Sequence, residues 1–170
     1  GVGRKGGIQG FDAGRAVSFA DDPGWVAELQ ALRTAAPGDV PAELLAGAVA
    51  TLGRWAKRWP ARPVCVVPLP APDMASNRHM AEHIAQKGRL MLMDGFSWTG
   101  GPAPQDAAST PVVAHLESVI RWTSDAAMHN GPVLLVATDV RTRWTATVAA
   151  ALLREQGVSQ VLLLALHLRP

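Results

Sequence analysis

Three apolar runs constrain this chain more than any other feature. "RPVCVVPLP" (62–70), "PVLLVAT" (132–138) and "QVLLLALHL" (160–168) are hydrophobic at almost every position, without the alternation of a strand that keeps one face in water. Such runs read as strands buried on both faces, and the segments between them have helical spacing instead. Strands alternating with helices imply an α/β fold in which a parallel sheet is covered by helices on both sides.

The intervening segments support this reading. In 39–59, Leu44, Leu45, Ala48, Leu52, Trp55 and Trp59 recur at helical spacing, with Asp39 as a cap and Pro41 near the first turn. "DDPGWVAELQALRTAAPG" has apolar positions at Trp25, Val26, Leu29 and Leu32 between start and stop signals, so a short helix is expected there. "MASNRHMAEHIAQKG", "VVAHLESVIRWTSDAA" and "TATVAAALLREQG" read as further helices, and "LMLMDGF" as a strand. Residues 97–111 read as a long loop, and residues 1–20, rich in glycine and without a period, as a linker or arm. The expected organisation is an arm (1–20), a helical extension (21–60) and a main α/β domain (61–170). The open, glycine-rich start suggests a piece of a longer protein.

A chain of 170 residues, 48% of them hydrophobic, is long enough for one compact core. The single cysteine, Cys65, lies inside an apolar run, which excludes an internal disulfide framework and fits a reducing, cytoplasmic setting. No apolar run approaches the roughly 20 residues of a membrane span, and no signal peptide is evident, so no membrane partner is expected. With a net charge of +2 and its cations scattered singly, the chain is permitted to bind nucleic acid but is not compelled to by charge.

In a parallel sheet, ligands sit beyond the carboxyl ends of the strands. Two loops qualify: "PLPAPDMASN", with Pro70, Ala71, Pro72 and Asp73, and "ATDVRTRWTAT", residues 137–147. The second brings Asp139, Arg141, Thr142, Arg143, Trp144, Thr145 and Thr147 to a helix N-terminus, where unpaired amides and a partial positive charge favour an anion. On residue types alone, threonines that cap the helix and solvated arginines are an equal alternative.

The order of strand, acidic turn, threonine-rich loop and helix resembles the phosphoribosyl-diphosphate loop of phosphoribosyltransferases, whose usual wording is two acids, a hydrophobe, then Thr-Thr-Gly-x-Thr. "GPVLLVATDVRTRWTATVAAALLREQG" is similar, more closely, to the phosphoribosyltransferase-like region that ends certain bacterial RecQ-type ATP-dependent DNA helicases, with Arg143, Trp144 and Thr145 as the specific part. "GRAVSFADDPGWVAELQAL", "VPAELLAGAVATLGRWAKRWPARPVCVVPLP" and residues 83–92 follow the same region, so the likeness runs from about Gly14 to Leu168. It implies a phosphoribosyltransferase-like fold, a setting in DNA repair and recombination, and the upstream helicase modules of the same chain as partners. Mg²⁺ enters only if phosphoribosyl diphosphate binds.

The departures bear on activity. Aligned through Arg-Trp-Thr, the family's paired acids fall on Ala137 and Thr138, and Asp139 is displaced by one position. The resemblance assigns that pair to the ribose hydroxyls, so ribose recognition loses its carboxylates here, and Trp144 stands where the transferases prefer a small residue. No base-selecting hood is expected within residues 161–170. For Asp139 itself, a turn or cap role is expected in preference to metal binding.

Other signals have plainer readings beside them. "HMAEH" fits a His-x-x-Glu-His zinc pattern, with His79 and His83 one turn apart and Glu82 beside them, but Glu155 is a poor third ligand; surface histidines are expected and no metal site is assigned. Trp25, Trp55 and Trp59 read as core, whereas Trp98 and Trp144 fall in predicted loops that would make an aromatic, basic rim. Arg54, Lys57, Arg58 and Arg62 form the densest basic segment and a candidate DNA contact, the plainer reading being a solvated helix face. No Gly-x-x-x-x-Gly-Lys loop occurs, so any helicase motor lies elsewhere. The expectation is therefore a non-catalytic, phosphoribosyltransferase-like accessory domain that assists DNA or partner binding or senses a phosphate or nucleotide. An active transferase and a purely structural docking module are the alternatives.

Overall fold

The computed structural model describes residues 11–19, 27, 30–32, 38–59, 61–103, 109–124, 131–140 and 143–168. The three apolar runs supply the centre of a five-stranded parallel sheet. In chain order the elements are β1 (Ala13–Phe19), α1 (Ala42–Ala56), β2 (Cys65–Pro68), α2 (Ala75–Gly88), β3 (Met91–Leu92), β4 (Phe96–Trp98), α3 (Ser109–Val119), β5 (Ile120–Trp122), β6 (Pro132–Val140), α4 (Trp144–Glu155) and β7 (Gln160–Leu168). The sheet order is β1-β7-β6-β2-β3, and β4 pairs with β5 in a separate antiparallel ribbon.

This topology follows from two crossovers running in opposite directions. β2–α2–β3 steps outward to one edge, whereas β6–α4–β7 steps toward the other, and β2 and β6 are neighbours. Right-handed units that diverge in this way must place their helices on opposite faces. Accordingly α1 and α2 pack over Val66, Leu134, Val136, Leu162, Leu164 and Leu166. The alternate residues Val67, Val133, Leu135, Val161, Leu163 and Ala165 face α3 and α4. The period of two that the runs hide in composition is thus restored in space, each face receiving every second side chain.

Several expectations need correction. The arm expected over residues 1–20 gives way at Ala13, where β1 begins and pairs in parallel with β7. Its register is pinned by Asp12, whose Oδ2 accepts hydrogen bonds from the Val161 amide at 2.7 Å and from Arg154 Nη2 at 2.8 Å. β1 lacks periodicity because an edge strand carries no continuous apolar run to reveal it. The strand expected at 90–96 is only the two-residue β3, half exposed at Met91, followed by Gly95 and β4. The helix expected through 112–127 ends at Val119, where the chain turns into β5. The long loop loses its ends, since Ser97 and Trp98 belong to β4 and Ser109 to Pro111 to α3. The N-cap of α1 is Pro41, with no side-chain cap, in place of Asp39.

The β4–β5 ribbon is held by packing more than by length. Phe96 and Trp122 meet edge to face with centroids 5.0 Å apart, and the Trp122 ring lies over Gly95, leaving no room for a Cβ there. Trp55 is buried as expected and meets Trp59 at 5.6 Å, while the Arg15 guanidinium of β1 sits 5.1 Å from the Trp55 ring centre. Ala27 and Gln30 to Leu32 are helical, as expected, while Trp25, Val26 and Leu29 lie outside the described residues.

Candidate functional site

Because the crossovers diverge between β2 and β6, the carboxyl ends of these two strands border the switch point of the sheet, where an α/β fold opens a crevice. Both loops singled out in the sequence lead away from this point, so tertiary structure brings them together. The link between them is Asn77, in the first turn of α2. Its Nδ2 donates to the Leu69 carbonyl at 2.8 Å, and its Oδ1 accepts from the Thr138 amide at 2.9 Å and from Thr138 Oγ1 at 3.1 Å. The orientation of the amide is fixed by its partners, since a carbonyl can only accept and a backbone N–H can only donate. Asn77 and Thr138 are both buried. Sequence reasoning missed Asn77, because an asparagine at the start of a helix carries no mark of a partner 61 residues away.

The β6–α4 connection places the remaining candidates. Ala137 is fully buried in the core shared with α3 and α4, and Thr138 is occupied by Asn77. Asp139 is exposed, within β6 and opposite His167 of β7, in place of the expected turn or cap. Arg141 and Thr142 lie outside the described residues. Arg143 is the exposed N-cap of α4 and supplies no side-chain cap; Trp144 and Thr145 open the helix and are half-buried. Thr147 is not available as a ligand donor, because it is buried and its Oγ1 donates to the Arg143 carbonyl at 2.9 Å. The first amides of α4 therefore keep the anion-favouring character that a helix start confers.

The β2–α2 loop is largely committed to its own structure. Pro70 is buried, the Ala71 amide lies 3.1 Å from Met74 Sδ, and Asp73 Oδ1 accepts from the Ala75 amide at 2.9 Å, which ties down the start of α2. Pro72 and Asp73 are exposed and Ala71 is half-buried. Trp98 and Trp144 are not loop residues: both lie in regular elements and pack their half-buried rings against the same core, and Trp98 Nε1 donates to the Gly101 carbonyl at 3.1 Å. An aromatic rim built from them loses most of its stacking surface to that core.

The basic segment stands elsewhere. α1 and α2 both end at the amino-terminal edge of the sheet, where Arg62 donates to the Gly88 carbonyl just before β2 and β3 begin. Arg54 donates to Thr51 Oγ1 at 3.3 Å, while Lys57 and Arg58 are exposed. The structure thus separates Arg54, Lys57, Arg58 and Arg62 from the β6–α4 loop by the length of the sheet.

Among the described residues, two titratable groups are perturbed. Burial pushes the Cys65 thiol up to about 11, which keeps it protonated and inert, as its place in the core suggests. His83 titrates below the ordinary histidine value, first through burial, then through Lys87 and His79. His79 Nδ1 is engaged by the Gly38 carbonyl at 2.7 Å, Glu155 is exposed at the end of α4, and no cluster of three metal-ligating side chains occurs among the described residues. No helix among the described residues is long and apolar enough to cross a membrane. Comparison of the chain with protein-family models and with curated proteins finds no match in either.

Proposed function

We propose that this chain is a non-catalytic, phosphoribosyltransferase-like accessory domain of a RecQ-type DNA helicase, and that it holds a phosphate group, of DNA or of a nucleotide, at the start of α4. The observation that carries the reading is the state of Ala137 and Thr138. At the two positions where the resemblance expects ribose-binding acids, one residue is fully buried in the core and the other gives its amide and hydroxyl to Asn77. Both side chains are buried, so the absence of carboxylates fits the packing of the site. Ribose phosphate transfer therefore lacks its sugar-holding groups, while the uncapped amides of α4 and the Arg143 side chain remain suited to an anion.

Calorimetric titration tests this reading. Phosphoribosyl diphosphate with Mg²⁺ is expected to give no ribose-dependent gain over inorganic diphosphate; a large gain, or turnover with a nucleobase, would favour an active transferase. DNA is expected to bind with a salt-dependent affinity that falls when Arg141 and Arg143 are both replaced by alanine. Binding of neither ligand would leave the domain as a structural docking module.

A further inference from the structure

A cavity of about 550 Å³ opens between α1 and α2 at the amino-terminal edge of the sheet, at the opposite end from the β6–α4 loop. Its walls are apolar: Val49, Leu52 and Ala56 of α1, Ile84 of α2, and the side chains of Trp59 and Leu90. Two cations, Arg62 and Lys87, stand in the lining, and no acidic residue among the described ones does. Neither lining cation has a carboxylate partner among the described residues, unlike Arg78, paired with Asp94, and Arg154, paired with Asp12. Arg62 spends one donor on the Gly88 carbonyl, which offsets the negative end of α2 and leaves the rest of its fork. The Trp59 indole N–H is enclosed and has no acceptor among the described residues.

The geometry points to a binding site for a small anionic amphiphile, a single carboxylate or similar acid on an apolar body of about ten carbons. The volume falls within the range of small-molecule sites, which are mostly apolar with a few polar groups that fix orientation. Leu52, Val49, Ile84 and Leu90 take the apolar body, and Lys87 and Arg62 take the acid. Single-sign charge beside an apolar wall selects against both neutral and cationic ligands of the same shape. An acid oxygen near Trp59 also offers its N–H, after a small turn of the ring, the partner that the protein does not supply.

Gly53 provides a clean test, because it lines the cavity and a Cβ built on it meets nothing within 4 Å. Gly53→Phe adds a ring at the cavity wall from a Cβ that meets no atom, and any residue other than proline suits a helix interior at least as well as glycine. Decanoate, below its micellar concentration, is titrated into the full chain by calorimetry, with the Trp59 indole N–H followed by NMR and 1-decanol as the neutral probe. The expected result is one decanoate site, a shifted Trp59 signal, and an affinity reduced about tenfold or more, roughly 1.4 kcal/mol, by Gly53→Phe. Lys87→Glu weakens decanoate and leaves 1-decanol unchanged. The proposal is overturned if decanoate does not bind, if Gly53→Phe binds it as tightly as the wild type while melting no lower, or if decanoate and 1-decanol bind alike.

Discussion

Asn77 and Thr138 are joined by two hydrogen bonds, at 2.9 and 3.1 Å, in a buried position where α2 passes the end of β6. With its third bond, to the Leu69 carbonyl, Asn77 fastens the two loops that border the switch point. Asn77→Ala strands three buried polar groups and leaves a small void, so it is expected to lower stability by about 3 kcal/mol, read from urea unfolding. A loss under about 1 kcal/mol would mean that water replaces the side chain at little cost.

Acids placed at Ala137 and Thr138 should not create a site for phosphoribosyl diphosphate. Ala137→Asp puts a carboxylate into a fully buried core position, and Thr138→Asp sets one against Asn77 Oδ1. The double variant is expected to unfold at a clearly lower temperature and to gain no affinity for phosphoribosyl diphosphate, because an unpaired buried charge costs several kcal/mol or more. A stable double variant that binds the compound with Mg²⁺ would show that these positions face the crevice after all.

Two glycines should respond in opposite directions to alanine. A Cβ at Gly95 runs into the Trp122 ring, which is already packed edge-on against Phe96, so Gly95→Ala is expected to cost about 1–3 kcal/mol through displacement of that ring. Gly53→Ala, in an open position within α1, should instead gain up to about 1 kcal/mol from helix propensity. Paired thermal melts of the two variants, with near-ultraviolet dichroism for the Trp122 environment, decide both.

Cys65 should be silent toward thiol reagents until the protein unfolds. It belongs to β2, which lies between β3 and β6, and its side chain is buried in the core shared with α3 and α4; burial raises its titration to about 11, so almost no thiolate exists at neutral pH. Labelling by iodoacetamide at pH 7.5 is expected to follow the unfolding curve measured by dichroism. Fast labelling of the folded chain would contradict the buried placement.

His83 should make stability depend on pH in a predictable sense. Its titration is lowered in the folded protein, so the unfolded chain binds its proton more readily and stability contributed by the neutral ring is present above about pH 6.5. That contribution is lost as pH falls through the folded value. His83→Gln is expected to flatten the acid limb of a plot of unfolding temperature against pH, while both proteins behave alike above pH 7; an unchanged acid limb would place the sensitivity elsewhere.

The sheet's interior was legible in the chain because burial on both faces forces uninterrupted apolar runs, and α1, α2 and α4 because each buries one stripe at helical spacing. The β6–α4 loop was legible by the same local route, as a polar interval between a strand and a helix. β1 and the β4–β5 ribbon were not. β1 exists by pairing with β7, and β5 by pairing with β4, and a strand whose stability lies in its partner need carry little signal of its own.

The sequence by itself determined the class of fold and the two loops that leave β2 and β6, with Ala137 and Thr138, neither of them acidic, near the end of β6. Only the tertiary structure decided what surrounds those two residues. It buried Ala137 under α3 and α4, bound Thr138 to an asparagine far away in the chain, spent Thr147 on its own helix and moved the basic segment to the opposite end of the sheet. Local patterning reports which face a residue needs to bury. Hydrogen-bond partners and the distances between sites depend on how the crossovers lead the chain back on itself, and periodicity does not encode that path.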